Sequence, residues 1–290
     1  MRDGSARSLK RGTLAAFAAY GMWGIFPLYW SRLGSVSAVE VLCHRVVWSG
    51  GFLVLILGLQ GRLSEVGTIL RRATTALAVA GCSALIAVNW GVYIWAVQVG
   101  RVTESSLGYY ITPLLSVALG ALFFHERLDR WTQVAVSLAA LGVGIAAWRL
   151  GSVPWVALVL STSFALYGAL KKKTGLDALA GLTAETLLSL PLALAYLLTL
   201  KGGALLQGSP GVVTLLVLGG PVTALPLLTF AYAAVRIPLQ RLGFIQYFSP
   251  TLQLLLGIFV LGERMTGPMA FAFGTVLAAV VLYAMTRPRP

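Results

Sequence analysis

Charged side chains are scarce in this sequence. Of its 290 residues only 11% are charged and nine are acidic, whereas 58% are hydrophobic. A soluble globular domain carries about 25% charged residues. This chain therefore lacks enough polar side chains to cover a folded surface in water, which excludes an ordinary soluble protein.

Residues suited to catalysis and metal binding are also few. The chain has two histidines, His44 and His125, and two cysteines, Cys43 and Cys82, which lie in apolar stretches. It contains no H-E-x-x-H, no G-x-S-x-G in a strand-to-helix context and no phosphate-binding G-x-x-x-x-G-K-[ST] loop. We therefore expect no cofactor and no use of ATP. A membrane-embedded enzyme and a lipid-binding helical bundle are the weaker alternatives to transport.

Long apolar runs are what the sequence has instead. A helix needs about 20 apolar residues to cross a bilayer, whereas barrel strands show alternating segments of about ten. The runs are of helical length, so we predict an all-α integral membrane protein, with the first run kept as a span rather than cleaved as a signal peptide. The ten predicted transmembrane helices cover residues 12–31, 37–59, 73–99, 103–124, 130–149, 153–171, 178–200, 211–234, 238–261 and 267–286.

Lysine and arginine are distributed unevenly over the predicted loops. With the N-terminus in the cytoplasm, sixteen of the 22 basic residues lie on the cytoplasmic side, five lie outside, and Arg45 lies within a span. Cytoplasmic loops hold the excess of positive charge in membrane proteins. We therefore predict a multi-pass plasma (inner) membrane protein with both termini in the cytoplasm. The net charge of +13 then reflects orientation and attraction to membrane lipids, not nucleic-acid binding.

Two stretches of the sequence resemble each other. LGYYITPLLSVALGALFFHER matches LGFIQYFSPTLQLLLGIFVLGER, with Pro113 opposite Pro250 and Glu126 opposite Glu263 at an offset of 137 residues. Upstream, at a nearby offset, Glu40 falls opposite Glu185. Such internal similarity indicates a repeat architecture.

The repeat divides the chain into two five-helix copies, residues 12–149 and 153–286. Because five is odd, the second copy must enter the membrane from the opposite side. This is the inverted-topology repeat from which many secondary transporters are built, with the substrate held near the midplane between the halves.

Several stretches also resemble one family in detail: AVEVLCHRVVWS, VNWGVYIWAV, ESSLGYYITPL, AETLLSLPLA and RLGFIQYFSPTLQLLLGIFVLGE. They are similar to stretches of RarD proteins, a subgroup of the EamA-type transporters in the drug/metabolite transporter (DMT) superfamily. The resemblance runs from about residue 12 to 286. It implies a ten-helix inner-membrane transporter, expected to be an exporter, with an inverted five-plus-five repeat.

Three ionisable residues lie in the second predicted span, within VEVLCHRVVW. Arg45 lies about 13 Å from the outer end of this span, where a charge costs about 2.5–3.5 kcal/mol, so it should face the bundle interior and find a partner. Glu40 and His44, four residues apart, should be neighbours. We interpret Glu185 as the partner of Arg45, with a protonatable coupling group as the alternative. For Arg45 a role in binding or gating competes with a structural role, and for His44 a proton-linked role competes with that of a hydrogen-bonded core histidine.

The remaining candidates are polar or aromatic residues that share helical faces. Gln246, Pro250 and Gln253 recur with helical spacing and predict a polar stripe that faces inward. Proline removes a backbone hydrogen bond, so Pro113 and Pro250 predict kinks that suit gating. For the aromatic residues, packing and interfacial anchoring are the alternative. The candidate substrate-binding or coupling residues are Tyr20, Trp23, Glu40, His44, Arg45, Asn89, Tyr93, Tyr109, Glu185, Gln246 and Gln253.

These patterns together predict a secondary transporter that moves small organic metabolites or drugs by alternating access. The expected partners are a small-molecule substrate, membrane lipids and coupling protons bound by Glu40, His44 or Glu185, with facilitated exchange as the alternative. A substrate-sized cavity lined by aromatic side chains would favour transport, whereas a closed bundle would count against it.

Overall fold

The structure, a computed structural model, describes residues 2–124, 130–234, 236–237 and 245–286. Within these ranges the chain is helical and contains no strand. Ten helices of twelve residues or more carry the described fold. In chain order they are α1 (Arg2–Gly24), α2 (Ala38–Leu59), α3 (Ala73–Gln98), α4 (Val102–Phe124), α5 (Arg130–Leu150), α6 (Trp155–Thr174), α7 (Ala178–Thr199), α8 (Pro210–Ala234), α9 (Phe248–Phe259) and α10 (Gly267–Thr286).

Most helix ends agree with the sequence-based boundaries. Helices α2 to α8 and α10 begin within two residues of the predicted starts and end within three residues of the predicted ends. Two short helices, Leu63–Arg71 and Ala204–Gln207, are additional to the prediction. The predicted start of the ninth span and Glu126 lie outside the described residues.

The first predicted span is not one continuous helix. α1 ends at Gly24, and a short helix, Phe26–Trp30, follows it and passes into a 3₁₀ turn, Ser31–Leu33. Pro27 lies in the first turn of the short helix. A missing N–H costs no hydrogen bond there, although it would interrupt a helix that continued through this position. The break places Trp30, which is only 1% exposed, in the core of the bundle.

The bundle has the surface of a membrane protein. Within the described residues, α2, α3, α5, α7 and α8 are long and apolar enough to cross a bilayer. Large apolar side chains also face outward: Leu198 is 85% exposed, Trp148 82% and Leu192 77%. Such a surface is unfavourable in water but suits lipid tails, which offer no hydrogen bonds. The protein is therefore a helical membrane protein.

The helices pair mainly between the two halves of the chain. The most extensive pairings join α5 with α10, α4 with α6, α2 with α8, α3 with α6, α2 with α7, and α1 with α8, followed by α1 with α9, α4 with α9, and α3 with α7. This set maps onto itself when every helix is exchanged for the one five places along the chain. For example, α4–α6 becomes α9–α1, and α2–α8 becomes α7–α3. The described packing therefore follows an approximate two-fold pattern.

Acidic side chains fix helix starts across this interface. The Glu263 carboxylate, after α9, accepts hydrogen bonds from the N–H groups of Val102 and Thr103 at the start of α4, at 2.5 and 2.7 Å. Glu104 of α4 accepts one from the N–H of Val156 at the start of α6, at 3.0 Å. The first N–H groups of a helix have no partner within the helix, so each carboxylate stabilises a helix end.

Arg62 makes a further link between the halves, near the end of α2. Its Nη2 lies 3.0 Å from Asp177, the residue that caps α7, and its Nε donates to Glu65 at 2.6 Å. The hydrogen bond from Arg62 holds the pKa of the Glu65 carboxyl below its usual range. All three side chains are partly exposed, so this link adds little stability of its own.

Gly220 permits a close approach of α8 to α2. A Cβ at this position would lie 2.5 Å from the backbone carbonyl group of Trp48, so a side chain fits only if the main chain moves. Small residues commonly allow such contacts between membrane helices. Gly211, in the same helix, has nothing within 4 Å of an added Cβ.

We expect Gly220→Ala and Gly211→Ala to change stability in different directions. Alanine favours a helix over glycine by about 1 kcal/mol, so Gly211→Ala should keep or raise the melting temperature of the purified protein in detergent. At Gly220 the added methyl group forces α2 and α8 apart, at a cost of about 1–3 kcal/mol, so the melting temperature should fall. Equal melting temperatures for the two variants would contradict this description of the α2–α8 contact.

Candidate substrate-binding site around Arg45

Arg45 lies deep in α2. It is the eighth residue of this helix, about 11 Å along the axis from the first at 1.5 Å per residue. The residue is only 4% exposed. The prediction that Arg45 faces the interior of the bundle is therefore confirmed, whereas its role in binding stays a prediction.

Aromatic rings surround the guanidinium group. The Cζ atom of Arg45 lies 3.8 Å from the ring centroid of Trp90 and 5.2 Å from that of Trp30. Such contacts contribute about 0.5–2 kcal/mol each. Three tyrosines belong to the same core cluster as Trp30: the Tyr29 ring meets that of Trp30 with centroids 4.8 Å apart, and Tyr93 packs with Tyr109. We call these five aromatic residues, together with Arg45, the Arg45 cage.

Several donors in the Arg45 cage have no hydrogen-bond partner among the described residues. They are Nε and Nη1 of Arg45, Nε1 of Trp30 and the hydroxyl of Tyr93, all of them buried. The ion pairs in the described part of the chain do not include Arg45. An unsatisfied buried donor costs about 1–3 kcal/mol, and more when it is charged. The ring contacts alone therefore do not offset the burial of Arg45.

Asn89 ties three helices together beside the cage. Its Nδ2 donates to the carbonyl of Leu160 at 2.9 Å and to the hydroxyl of Ser163 at 3.0 Å, both on α6. The Tyr109 hydroxyl, on α4, donates to Asn89 Oδ1 at 3.2 Å. The Tyr109 ring meets that of Tyr93 edge to face, with centroids 5.7 Å apart. Asn89 thus uses its polar atoms within the protein and positions Tyr109.

Glu40 and His44 are neighbours, as their spacing predicts. His44 Nε2 lies 3.9 Å from Glu40 Oε1, and both residues are buried. The Glu40 carboxylate also accepts a hydrogen bond from the N–H of Ala204 at 2.5 Å. Ala204 begins the short helix between α7 and α8, so Glu40 fixes that connection to α2.

The predicted ion pair between Glu185 and Arg45 is wrong. Glu185 accepts hydrogen bonds from Nζ of Lys171 at 2.9 Å and from the hydroxyl of Tyr167 at 3.0 Å. The sequence-based boundary ends the sixth span at residue 171, whereas α6 continues to Thr174. Lys171 and Tyr167 therefore lie four residues apart on one helical face and reach the same carboxylate.

The matching of Glu40 with Glu185 as repeat-related residues stays a prediction. Its offset is 145 residues (185 − 40), whereas the starts of α2 and α7, Ala38 and Ala178, lie 140 residues apart (178 − 38). At the offset of the helix starts Glu185 would instead match Arg45 (185 − 45 = 140).

Tyr20 and Trp23 belong to a second aromatic group. Their rings meet edge to face at 5.3 Å, and both contact Phe230 of α8, at 6.0 and 5.8 Å. Gln253 of α9 donates to the carbonyl of Trp23 at 3.2 Å, while its Oε1 is buried without a partner among the described residues. Trp23 also packs against the core cluster that contains Trp30, so it connects this group with the Arg45 cage.

The predicted polar stripe in the ninth span is not a continuous helical face. Gln246 is half-buried and lies in a turn, because α9 begins only at Phe248. Pro250 lies in the first turn of α9, where its missing N–H would have no helical partner. It follows the turn at Gln246 and Tyr247, which separates helical Ile245 from α9, and its role in gating stays a prediction. Pro113 does lie inside α4, as predicted.

A small cavity lies beside the cage. Trp90, Val46, Ser83 and Glu185 are among the residues that line it, and its volume of about 10 Å³ has room for roughly one water molecule. The substrate-sized cavity that would favour transport is therefore not found at this place, and the closed bundle there counts against transport when taken alone. Function has to be inferred from the chemistry of the cage and from relatives.

Trp30 and Trp90, which contact Arg45, are not among the candidate residues that the sequence patterns indicate. Trp90 lies three residues before Tyr93, a helical spacing that could have suggested it. Trp30 carries no such signal, because the first predicted span continues through it as a straight helix. Only the break after Gly24 brings Trp30 to Arg45.

Comparison with known proteins identifies the family. The EamA-like transporter family matches residues 10–148 of this chain. The uncharacterized transporter YojE of Bacillus subtilis is 45% identical over 284 residues, which cover 96% of this chain and 95% of YojE. The RarD protein of Streptomyces exfoliatus is 42% identical over 276 residues, which cover 94% of this chain and 88% of that protein.

A solved crystal structure shares the fold. It matches with a TM-score of 0.64 at 19% sequence identity and covers 96% of this chain and 99% of its own. Together with the full-length similarity to RarD and YojE, the family match settles the relationship. The chain belongs to the EamA-like transporters and is a RarD-type member of the drug/metabolite transporter superfamily.

Proposed function

We propose that this protein is a secondary active exporter that moves small organic metabolites or drugs across the inner membrane by alternating access. Its family and the names of its relatives are those of transporters, which is consistent with a protein that is not an enzyme. Direction, energy source and mechanism are the parts that this proposal adds.

The Arg45 cage carries the proposal. A cation with a purely structural role would be expected to find acceptors in the folded protein, but Nε and Nη1 of Arg45 have none among the described residues. In secondary transporters with inverted repeats, substrates bind near the midplane between the halves. Arg45 lies on α2, which pairs with α7 and α8 of the other half. Its depth and its place between the halves both suit a binding residue.

Two inverted five-helix halves, residues 12–149 and 153–286, would give alternating access a simple mechanism. The self-consistent pairing of helices five places apart supports a repeat of ten spanning helices. Rocking of one half against the other would expose the cage to each side of the membrane in turn. The excess of basic residues on one side supports cytoplasmic termini.

Glu185 is the better candidate for coupling to protons. It is 3% exposed and pairs with Lys171, whose side chain is 24% exposed and so within reach of solvent. Protonation of Glu185 would remove its charge and weaken the link between α6 and α7. A proton could thus change the packing of the second half. Glu40, in contrast, is engaged in fixing the α7–α8 connection.

Arg45→Ala should abolish transport without removing the protein from the membrane. The variant deletes an unpaired buried cation, so it leaves no carboxylate of the described residues without its partner. We expect near-normal amounts of folded protein, and loss of uptake in proteoliposomes tested with a panel of labelled metabolites and antibiotics. Arg149→Ala, at an exposed arginine in the last turn of α5, is the control and should transport normally. Loss of folded protein with Arg45→Ala alone would instead favour a structural role.

An imposed pH gradient should drive accumulation of the transported compound in proteoliposomes that contain the unaltered protein. Glu185→Gln should abolish this response, while exchange of substrate across the membrane persists. Glutamine keeps the size of the side chain but cannot take up the proton. Glu65→Gln, at a partly exposed acid outside the core, is the matched control. A gradient without effect on the unaltered protein would rule out proton coupling, and an unchanged response in Glu185→Gln would remove Glu185 from that role.

The inverted topology predicts opposite locations for two fusion points. Alkaline phosphatase, which needs disulfides formed outside the cytoplasm, should be active when fused at Gly151 between α5 and α6, and inactive when fused after Pro290. A green fluorescent protein after Pro290 should fluoresce. Phosphatase activity at both points, or at neither, would contradict two five-helix halves of opposite orientation.

A further inference from the structure

We propose that the Arg45 cage binds the carboxylate of an organic monoanion whose body is apolar and preferably aromatic. This inference rests on the proposed function, since a closed cage must open for a ligand to enter, and it names the substrate class of that site. Arg45 has buried donors without an acceptor among the described residues, and aromatic rings surround its guanidinium group.

A second arginine in the chain shows what the Arg45 cage is missing. Arg101 also lies against two tryptophans, with Cζ 5.8 Å from the Trp95 ring and 5.4 Å from the Trp155 ring. Its Nη2 lies 2.5 Å from the carboxylate of Glu104, although its side chain is 35% exposed. Lys171 and Arg62 likewise have carboxylate partners. Arg45 is far more deeply buried than Arg101 and has no such partner among the described residues.

The geometry of the free donors points to a carboxylate. The guanidinium group is a planar fork whose N–H groups match the two oxygens of a carboxylate, and such paired hydrogen bonds are among the strongest in proteins. Nε and Nη1 of Arg45 belong to the two edges of the guanidinium group that can pair with a carboxylate, Nε–Nη2 and Nη1–Nη2, and neither atom has an acceptor among the described residues. Each edge therefore keeps an unused donor, and the Tyr93 hydroxyl is a further buried group without a partner in the described part of the chain.

The charge of the site favours a monoanion. Arg45 is one cation among aromatic rings, so a single negative charge neutralises it, whereas a dianion would leave one charge buried without compensation. The buried carboxylate of Glu40 lies one turn or so away on the same helix, which also disfavours additional negative charge. A phosphate ester is therefore a poorer fit than a carboxylate.

Among the described residues, neither of the buried acids Glu40 and Glu185 is free to pair with an ammonium group. The Glu40 carboxylate is engaged by Ala204 and His44, and the Glu185 carboxylate by Lys171 and Tyr167. A zwitterionic amino acid would bring a second charge that these acids do not neutralise. The faces of Trp30, Trp90 and the tyrosines suit an apolar or aromatic body instead.

Ligand binding to the unaltered full-length protein in lipid nanodiscs tests this inference. The probes are phenylacetate, indole-3-acetate and isovalerate, each compared with its neutral amide, with the amine of the same skeleton and, for the first, with phenylalanine. Affinity is measured by calorimetry or by competition against the labelled acid. We expect at least one acid to bind at least tenfold more tightly than its amide and its amine, and phenylacetate to bind more tightly than phenylalanine.

Two variants assign the binding to Arg45. Arg45→Gln should lower the affinity for that acid at least tenfold, and Arg45→Lys, which keeps the charge but loses the fork, should lower it less. Arg101→Gln, at the other arginine that lies against two tryptophans, should bind as the unaltered protein does. The melting temperature of each variant shows whether it is folded, and the comparison of acid with amide on the unaltered chain needs no variant.

Three outcomes would overturn the inference. One is that no acid binds better than its amide. Another is that an acid binds equally well to Arg45→Gln and to the unaltered protein. The third is that chloride alone stabilises the protein through Arg45 while no organic acid does, which would make the cage a site for inorganic anions. If transport of a different class of compound is then measured, the proposed function stands and this inference fails. If an acid binds in the cage but is never transported, this inference stands and the proposed function fails.

Discussion

The burial of a guanidinium group without an acceptor is the constraint on which this site depends. Inside a membrane protein a charged group cannot recover its hydrogen bonds from lipid. The faces of Trp90 and Trp30 attract the charge of Arg45 but do not accept its N–H hydrogen bonds. The charge is thus partly stabilised, but Nε and Nη1 of Arg45 donate no hydrogen bond to the described residues. A residue that must bind a ligand and later release it needs this combination.

The cage exists because four segments of the first half converge. The break after Gly24 turns Trp30 inward, α2 carries Arg45, α3 carries Trp90, and α4 carries Tyr109. Hydrogen bonds from Asn89 then join α3 to α6 of the second half, and carboxylates fix the starts of α4 and α6. The same contacts that hold the two halves together therefore also position the aromatic rings, so a shift between the halves would change the shape of the cage.

Much of the fold could be predicted from the sequence, because apolar runs and charged breaks respond to the bilayer itself. The bounds of α2 to α8 follow from hydropathy, and the adjacency of Glu40 and His44 follows from their spacing of four residues on a helix. Contacts between side chains of different helices could not be predicted from hydropathy. Lys171 reaches Glu185 because it lies four residues after Tyr167 on one face of α6, and Trp30 reaches Arg45 because the chain breaks after Gly24 and a new helix begins at Phe26. Hydropathy indicates that a charge is buried but does not identify its neighbours.

Arg45 and Glu185 lie in different halves of the chain and differ in the partners that the protein gives them. In the register of the helix starts, Arg45 of α2 corresponds to Glu185 of α7, and each is almost fully buried. The two opposite charges could have neutralised each other at the interface, but Glu185 is held by Lys171 and Tyr167. Trp90 contacts Arg45 and also lines the cavity next to Glu185. The acid of the second half is thus satisfied within the protein, whereas the cation of the first half has no such partner among the described residues.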